Sequence, residues 1–374
     1  MHRAPNADEV EINIFGPGYG ECCLVHIGGG QWIVIDSCVD ESGRPVALAY
    51  LERVGVDPAE SVKLIIASHW HDDHIRGLSS VLRSCVAAKF CASSALSKKE
   101  FLAVLKAYGQ NRTIRIGSGA REIIATLAIL EERNSVSHPI RAIASKLLFR
   151  WNAALTGHGQ PAEVWSLSPS DGQYEKFLVE LGSMLPSEGE EKLRLTDQSP
   201  NHLSVVTWLP IGNYAFLFGA DLEEIGTPDL GWSAITLSET RPFGRALFFK
   251  IPHHGSQTAH HADTWRLLVE PGAVCVLTPW NKNRTLPSHA DVERLVGINA
   301  HGYSTSNLRP EPIVRRPYAV EKQIRETAKV RSIRLKTGHV QLRGRLIDYP
   351  APDSVWLSPQ ACRLADLLKL MKGK

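Results

Sequence analysis

The sequence lacks the features that mark membrane proteins, secreted disulfide-rich proteins and zinc ribbons. No apolar run reaches the roughly 18 residues that a membrane-spanning helix needs. Residues 1–8 are mostly polar and show no secretion signal. The seven cysteines are odd in number and include no C-x-x-C pair, which argues for reduced thiols. We therefore expect a cytoplasmic protein with no membrane partner.

Charge is informative because its two signs are segregated along the chain. Residues 97–152 carry ten Lys or Arg against four Asp or Glu, and residues 309–345 carry eleven against three. Residues 163–239 carry three against thirteen. This segregation indicates either a polyanionic partner on one side of the molecule or differently solvated faces.

Apolar periodicity predicts an α/β organisation in a single domain, residues 1–374. A composition of 43% hydrophobic and 22% charged residues is that of a globular protein with a sizeable core. Residues 97–155 have helical spacing and predict a helical insertion, which offers a surface for a protein partner. Residues 301–374 form a C-terminal extension with a basic hairpin and a final amphipathic helix. The main apolar runs predict strands at residues 11–15, 22–26, 32–35, 62–67, 203–209, 214–218, 245–251 and 273–277.

The most informative motif is the hexapeptide His69-Trp70-His71-Asp72-Asp73-His74, which directly follows an apolar run. Three imidazoles and neighbouring carboxylates are poor core material, because each buried polar group needs a partner. Nitrogen and carboxylate ligands suit Zn²⁺ first, with Mn²⁺ or Fe as alternatives. The motif therefore predicts a metal site, and a solvated histidine-rich loop is the competing interpretation.

With this motif the sequence resembles the metallo-β-lactamase superfamily, and within it the branch like the nuclease domain of ComEC-type competence proteins. The resemblance implies an αββα four-layer sandwich and two divalent metal ions. The stretches that carry it are GYGEC at 18–22, IVIDS at 33–37, SHWHDDHIRGL at 68–78, FGAD at 218–221 and FKIPHHGS at 249–256.

The resemblance also implies roles for the matching residues. Asp221 would bridge the two ions, and Asp73 and His254 would join it in catalysis. Two such ions can activate a water and stabilise a leaving oxygen. The full set of candidate metal ligands is His69, His71, Asp73, His74, His202, Asp221, His253 and His254, with one of the pair His253 and His254 expected to bind.

Two positions depart from the family pattern. Where the branch has an Asn-rich stretch, this chain reads SPNHLS at 199–204, so either His202 supplies a third nitrogen ligand or Asn201 matches the branch. His158 is a weaker candidate for that ligand. Where the branch usually has a histidine, this chain has Leu286, so that role is vacant or His289 has taken it.

Further residues are expected around the metals. Those expected to support the ligands are Asp36, Asn201 and Ser256. Those expected to bind substrate are Lys250, His289, Arg343 and Arg345, the last two on one face of the predicted hairpin.

The leading hypothesis is a dinuclear metal-dependent phosphodiesterase or nuclease that acts on nucleic acid. The first alternative is a hydrolase of a small phosphoester, cyclic nucleotide or lactone, with the insertion restricting access to the site. The second is a partner-activated metal-binding component of a bacterial defence or DNA-processing system. An antibiotic-degrading lactamase is the least favoured, because no secretion signal is visible.

Overall fold

Two eight-stranded sheets packed face to face dominate the part of the chain that the structure, a computed structural model, describes. The described residues are 3–16, 20–94, 118–133, 139–152, 160–184, 200–281, 285–308, 323, 336–345 and 355–372.

The first sheet combines strands from both ends of the chain. Its members are β1 (Glu9–Gly16), β2 (Cys22–His26), β3 (Trp32–Ile35), β4 (Val62–Ala67), β5 (Lys89–Ser93), β6 (Ile140–Ala142), β16 (Gly338–Arg345) and β17 (Val355–Leu357). Their order is β17-β16-β1-β2-β3-β4-β5-β6. Neighbours are antiparallel from β17 to β3 and parallel from β3 to β6.

The second sheet has the same division into an antiparallel and a parallel part. Its members are β7 (Lys146–Trp151), β8 (Ala162–Ser166), β9 (Thr207–Ile211), β10 (Tyr214–Phe218), β11 (Ala246–Lys250), β12 (Val269–Leu277), β15 (Gly302–Ser304) and β18 (Cys362–Arg363). Their order is β18-β15-β12-β11-β10-β9-β8-β7, and β10, β11, β12 and β15 run parallel. A separate two-stranded hairpin joins β13 (Trp280–Asn281) to β14 (Thr285–Leu286).

Helices cover the outer face of each sheet. On the first sheet lie α1 (Val46–Arg53), α2 (Pro58–Ser61), α3 (Asp72–Ile75), α4 (Leu78–Ser84) and α5 (Ser118–Glu132). The remaining helices are α6 (Asp171–Met184), α7 (Gly231–Leu237), α8 (Ala262–Leu267), α9 (His289–Ile298) and α10 (Leu364–Lys372). None of the described helices has the length and apolar character that crossing a membrane requires.

Strand alternation explains why the molecule has four layers. In β3, Ile33 faces the core between the sheets, whereas Val34 faces the helices of the first sheet. In β11, Phe248 faces the inter-sheet core and Phe249 packs with the helices of the second sheet. Both sheets are therefore apolar on both faces, which requires a covering layer outside each. The predicted αββα sandwich is confirmed.

One part of the predicted helical insertion is wrong. Residues 140–151 form β6 and β7, which extend the free edges of the first and second sheets. Ala142 and Leu148 lie in the inter-sheet core, so pairing with a sheet edge overrides the helical spacing of this stretch. The helix predicted over residues 120–132 is confirmed by α5, and residues 95–117 lie outside the described residues.

The C-terminal segment is more than an extension. Its strands β15 and β18 belong to the second sheet, and β16 pairs along the whole of β1 in the first. The predicted terminal helix is observed as α10. The first arm of the predicted hairpin lies outside the described residues.

Pairing between β1 and β16 buries a polar network. Arg343 donates to Glu11 through Nε and to the backbone oxygen of Arg3 through Nη2 at 2.8 Å. Tyr50 and Asn13 donate to the other Glu11 oxygen, each at 2.7 Å. Arg343 is thus buried and engaged in the fold, which differs from the surface contact to substrate expected from the sequence.

We predict that Arg343→Ala lowers the free energy of unfolding by about 3–5 kcal/mol, because Glu11 would stay buried without its cation. Arg345→Ala is the matched control on the same strand. Its ion pair with Asp8 is well exposed and should contribute less than about 1 kcal/mol. Denaturant titration of both variants checks this, and losses of equal size would contradict it.

Candidate metal centre

The candidate site lies where parallel strands of both sheets end. Asp36 follows β3 and His69 follows β4, while Asp221 follows β10 and His254 follows β11. Carboxyl ends of parallel strands share one edge of a sheet, and this edge is where α/β folds place ligands. Packing the two sheets brings both edges together, so residues 180 positions apart in sequence (His74 and His254) become neighbours, with ring centroids 6.0 Å apart.

The first group of donors joins both sheets around Asp221. It comprises Asp73, His74, Asp221 and His254, all buried. His74 Nε2 lies 3.3 Å from Asp221 Oδ1 and 3.6 Å from Asp73 Oδ2. His254 Nε2 lies 3.2 Å from Asp73 Oδ2 and 3.5 Å from Asp221 Oδ2. Two imidazoles and two carboxylates thus face a common point, a donor set that suits Zn²⁺.

A second group shares Asp221 with the first. It comprises His69, His71 and Asp221, with His69 Nε2 3.2 Å from His71 Nδ1 and 4.0 Å from Asp221 Oδ2. Three protein ligands with a partly exposed member, His71, match a metal site that keeps a coordination position open. Asp221 is therefore placed to bridge two ions.

Hydrogen-bond accounting tests whether these residues fit a cation. His74 Nε2 and Asp221 Oδ1 are buried and have no hydrogen-bond partner among the described residues, although they face each other at 3.3 Å. Buried polar atoms normally have hydrogen-bond partners. Two unpartnered atoms that face each other, a ring nitrogen and a carboxylate oxygen, therefore indicate that a cation binds between them. The donor set fits divalent metal ions.

The pKa shifts of His74 and Asp221 also indicate a site that attracts cations. Burial disfavours the imidazolium of His74, yet the carboxylates of Asp221, Asp73 and Asp36 raise its pKa well above the usual value. Burial disfavours the carboxylate of Asp221, yet His74 and His254 lower its pKa well below the usual value. Negative charge concentrated in this way attracts positive charge, which protons or metal ions can supply.

Hydrogen bonds behind the donors fix their orientation. Asp36 accepts from the Ser68 amide at 2.7 Å, from the Ser68 hydroxyl at 2.6 Å and from His74 Nδ1 at 2.7 Å. His254 Nδ1 donates to the Thr278 carbonyl oxygen at 2.8 Å. Each imidazole therefore turns Nε2 toward the shared point, as outer partners of metal-bound histidines do.

Backbone strain gathers at the same place. Of the six non-glycine residues with positive φ among those described, four lie here: Asp36, Ala220, His253 and His254. Each such conformation costs about 1–2 kcal/mol, and such strain clusters at functional sites. Nearby Gly219 has no room for a side chain, since a Cβ would lie 2.9 Å from the Lys250 carbonyl oxygen.

Lys250 supports the ligands from inside the protein. Its ammonium group is fully buried, 2.6 Å from Glu21 Oε2 and 2.9 Å from the Ile251 carbonyl oxygen. Glu21 also accepts from the Thr278 hydroxyl, and its amide donates to the Asp73 carbonyl oxygen at 2.8 Å. The expected substrate contact of Lys250 is not formed in this position. Sequence reasoning noted Glu21 only within a turn motif and missed this pairing.

A second set of polar residues forms the rim of the site. Glu223 lies 2.9 Å from His253 Nδ1 and 3.4 Å from His202 Nε2, and it accepts from Thr258 at 2.8 Å. Asn201 Nδ2 lies 3.3 Å from His253 Nε2. His254 is thus the member of the histidine pair that the structure places in a donor group, whereas His253 and His202 lie at the rim. Glu223 was not predicted, because the only indication in the sequence was its position two residues after Asp221.

The remaining predicted residues lie elsewhere. Ser256 is buried, two residues after His254, and accepts from the Thr258 amide at 3.3 Å. His289 begins α9 after the Ser288 cap and belongs to neither donor group. Arg345 is on β16 in an exposed pair with Asp8. His158 and five of the ten basic residues in residues 97–152 lie outside the described residues.

Comparison with known proteins agrees with this geometry. Residues 15–138 match the model of the metallo-beta-lactamase superfamily, a stretch that contains Asp36 and the histidine-rich loop. The match covers about a third of the chain, and within it the sequence is similar to that superfamily. A comparison with curated proteins finds no match.

Solved structures show distant similarity. The metallo-beta-lactamase fold protein YhfI from Bacillus subtilis is 15% identical, with a TM-score of 0.31, covering 65% of this chain and 70% of that one. MEM-A1, a subclass B3 metallo-beta-lactamase from a soil metagenome library, is 15% identical, with a TM-score of 0.33, covering 68% and 80%. The Cronobacter sakazakii metallo-beta-lactamase with a HARLDQ motif is 13% identical, with a TM-score of 0.30, covering 58% and 62%. These similarities are too weak to indicate an activity.

We predict that the protein binds about two divalent ions per chain. Asp221→Ala should lose most of both, because it removes the carboxylate common to the two donor groups. His289→Ala, outside both groups, should keep two. Elemental analysis after loading with Zn²⁺ or Mn²⁺ checks this, and an Asp221→Ala protein that retains two ions would contradict it.

We also predict that Asp36→Asn weakens metal binding by about 10–100-fold, because His74 loses the carboxylate that orients it. Asp291→Asn is the control, since Asp291 is equally buried but caps α9. Competition with a chelating dye measures both. Unchanged affinity in Asp36→Asn would show that this hydrogen bond does not support the site.

Proposed function

We propose that this protein is a dinuclear metal-dependent phosphodiesterase that acts on nucleic acid. The observation that carries the proposal is the position of Asp221 in both donor groups. A shared carboxylate holds two ions at the separation of about 3.5–4 Å found in two-metal phosphatases and nucleases.

The candidate ligands fall into two sets, one for each ion. His69, His71 and Asp221 would hold one ion, and Asp73, His74 and His254 would join Asp221 around the other. Bound there, the ions supply an activated water and neutralise charge on phosphodiester oxygens. Hydrogen bonds to Asp36 and to the Thr278 carbonyl oxygen keep the His74 and His254 imidazoles from turning.

The rim explains how a substrate would approach. His202 and His253 have side chains that are 28% and 17% exposed, unlike the fully buried His69 and His74. Burial disfavours the Glu223 carboxylate, but hydrogen bonds from His202 and His253 hold its pKa well below the usual value. Glu223 thus stays charged and holds both imidazoles on the open side of the site.

Nucleic acid as the substrate is supported by charge and by the sequence resemblance. The excess of six positive charges in residues 97–152 and eight in residues 309–345 suits a polyanion. The PHHGS stretch at 252–256 resembles the ComEC-type nuclease branch.

One observation favours a small phosphoester or lactone as a second candidate. Gly119 of α5 approaches the histidine-rich loop so closely that a Cβ would lie 2.7 Å from both Asp72 Oδ1 and the Trp70 carbonyl oxygen. Helix α5, within the predicted insertion, is therefore packed against one side of the site, which restricts access to it. Activity on a small ester but not on a polymer would favour this candidate.

We predict that the metal-loaded protein cleaves bis-p-nitrophenyl phosphate and single-stranded oligonucleotides, and that EDTA abolishes both activities. Asp221→Ala should lower the rate by about 10³-fold, because several kcal/mol of charge stabilisation is lost. His289→Ala, which leaves both donor groups intact, should retain the rate if it does not touch the substrate. Initial rates at equal protein concentration in the same metal-containing buffer measure this, and a β-lactam hydrolysed much faster than any diester would contradict the proposal.

A further inference from the structure

A small cavity lies against residues 251–256, the segment after β11 that carries His254. Half of its lining is apolar, and the polar part consists of Gly255 and Ser256 of that segment, His260 and His261 before α8, Thr264 in α8 and Arg294 in α9. The cavity has room for one water molecule or one monatomic ion.

Four buried polar atoms belong to the residues that line this cavity, and within the described part of the chain none of the four has a hydrogen-bond partner. They are His260 Nδ1, His261 Nδ1, Thr264 Oγ1 and Arg294 Nε. Thr264 is only 2% exposed. Native interiors leave few such atoms unsatisfied, so four around one cavity indicate an occupant with several polar contacts.

The chemistry of the lining favours an anion. Arg294 Nε is always a donor, the Thr264 hydroxyl can donate, and His260 can place its proton on Nδ1. Among the described residues, no carboxylate lines the cavity. Asp291 contacts Arg294 at Nη2, 3.2 Å away, and its other oxygen caps α9, so Nε is left to the cavity. A water accepts two hydrogen bonds, whereas a halide can accept from these three donors together.

Arg294 connects this cavity to the segment that carries the candidate ligand His254. Arg294 Nη2 donates to the Gly255 carbonyl oxygen at 2.7 Å, one residue after His254. Burial, with Arg294 and His261 nearby, lowers the pKa of His260, so Arg294 supplies the positive charge at neutral pH. An occupant that contacts Arg294 would therefore stiffen the segment that carries a metal ligand.

We infer that this cavity is a binding site for a small monatomic anion of the chloride class, held by Arg294, Thr264 and His260. The site is separate from both donor groups and does not depend on the proposed activity.

Bromide soaking of crystals of the wild-type protein tests the site directly. An anomalous difference peak should appear in the cavity, within about 3.2–3.5 Å of Arg294 Nε and Thr264 Oγ1. Electron density in the cavity without an anomalous peak after bromide soaking would show an ordered water and overturn the inference.

Thermal unfolding of the full-length protein gives an independent test. Replacing sodium acetate by sodium bromide at constant ionic strength should raise the melting temperature of the wild type by about 1–3 °C, through binding to the folded state. Thr264→Val should lose most of this gain, while its stability in acetate is unchanged or higher because an unsatisfied buried hydroxyl has been removed.

Thr236→Val is the matched control. Thr236 is equally buried, but its hydroxyl donates to the Trp232 and Ser233 carbonyl oxygens and lies outside the cavity. This variant should melt at a lower temperature and keep the full gain from bromide. An equal gain in wild type and Thr264→Val, or a bromide peak without any gain, would show an adventitious ion only and overturn the inference.

Discussion

The attraction between Asp221 and the positive charge around it is the interaction on which the candidate site depends. This buried carboxylate is 3.3 Å from His74 and 3.5 Å from His254, and it belongs to both donor groups. Concentrating carboxylates and imidazoles in an apolar interior is costly unless they are paired or coordinate a metal. The packing of the two sheets concentrates these groups at one edge, where two divalent ions would offset the cost of burying them.

The rest of the structure holds that arrangement in place. Asp36 fixes His74, and the Thr278 carbonyl oxygen fixes His254. The buried pair of Glu21 and Lys250 reaches Thr278 and the backbone of Asp73, so it connects both sheets behind the donors. Strained backbone at Asp36 and His254 is tolerated because these contacts over-determine it.

Much of this could be predicted from local sequence. Strands β1 to β4 were predictable because each is an apolar run bounded by turn residues, and the histidine-rich loop was predictable because its spacing is rare. The strands at residues 140–151 were not, because their pairing partners are sheet edges that local spacing does not reveal. Lys250 and Arg343 looked like surface cations, and only the fold shows that Glu21 and Glu11 bury them. Glu223 had no motif of its own, so its contacts with two rim histidines emerged only in three dimensions.

A bridging role of Asp221 is the central claim, and anomalous diffraction at the zinc absorption edge tests it most directly. Crystals of the zinc-loaded wild-type protein should show two peaks about 3.5–4 Å apart, with one Asp221 oxygen on each. A single peak, or two peaks of which one does not contact Asp221, would contradict the account.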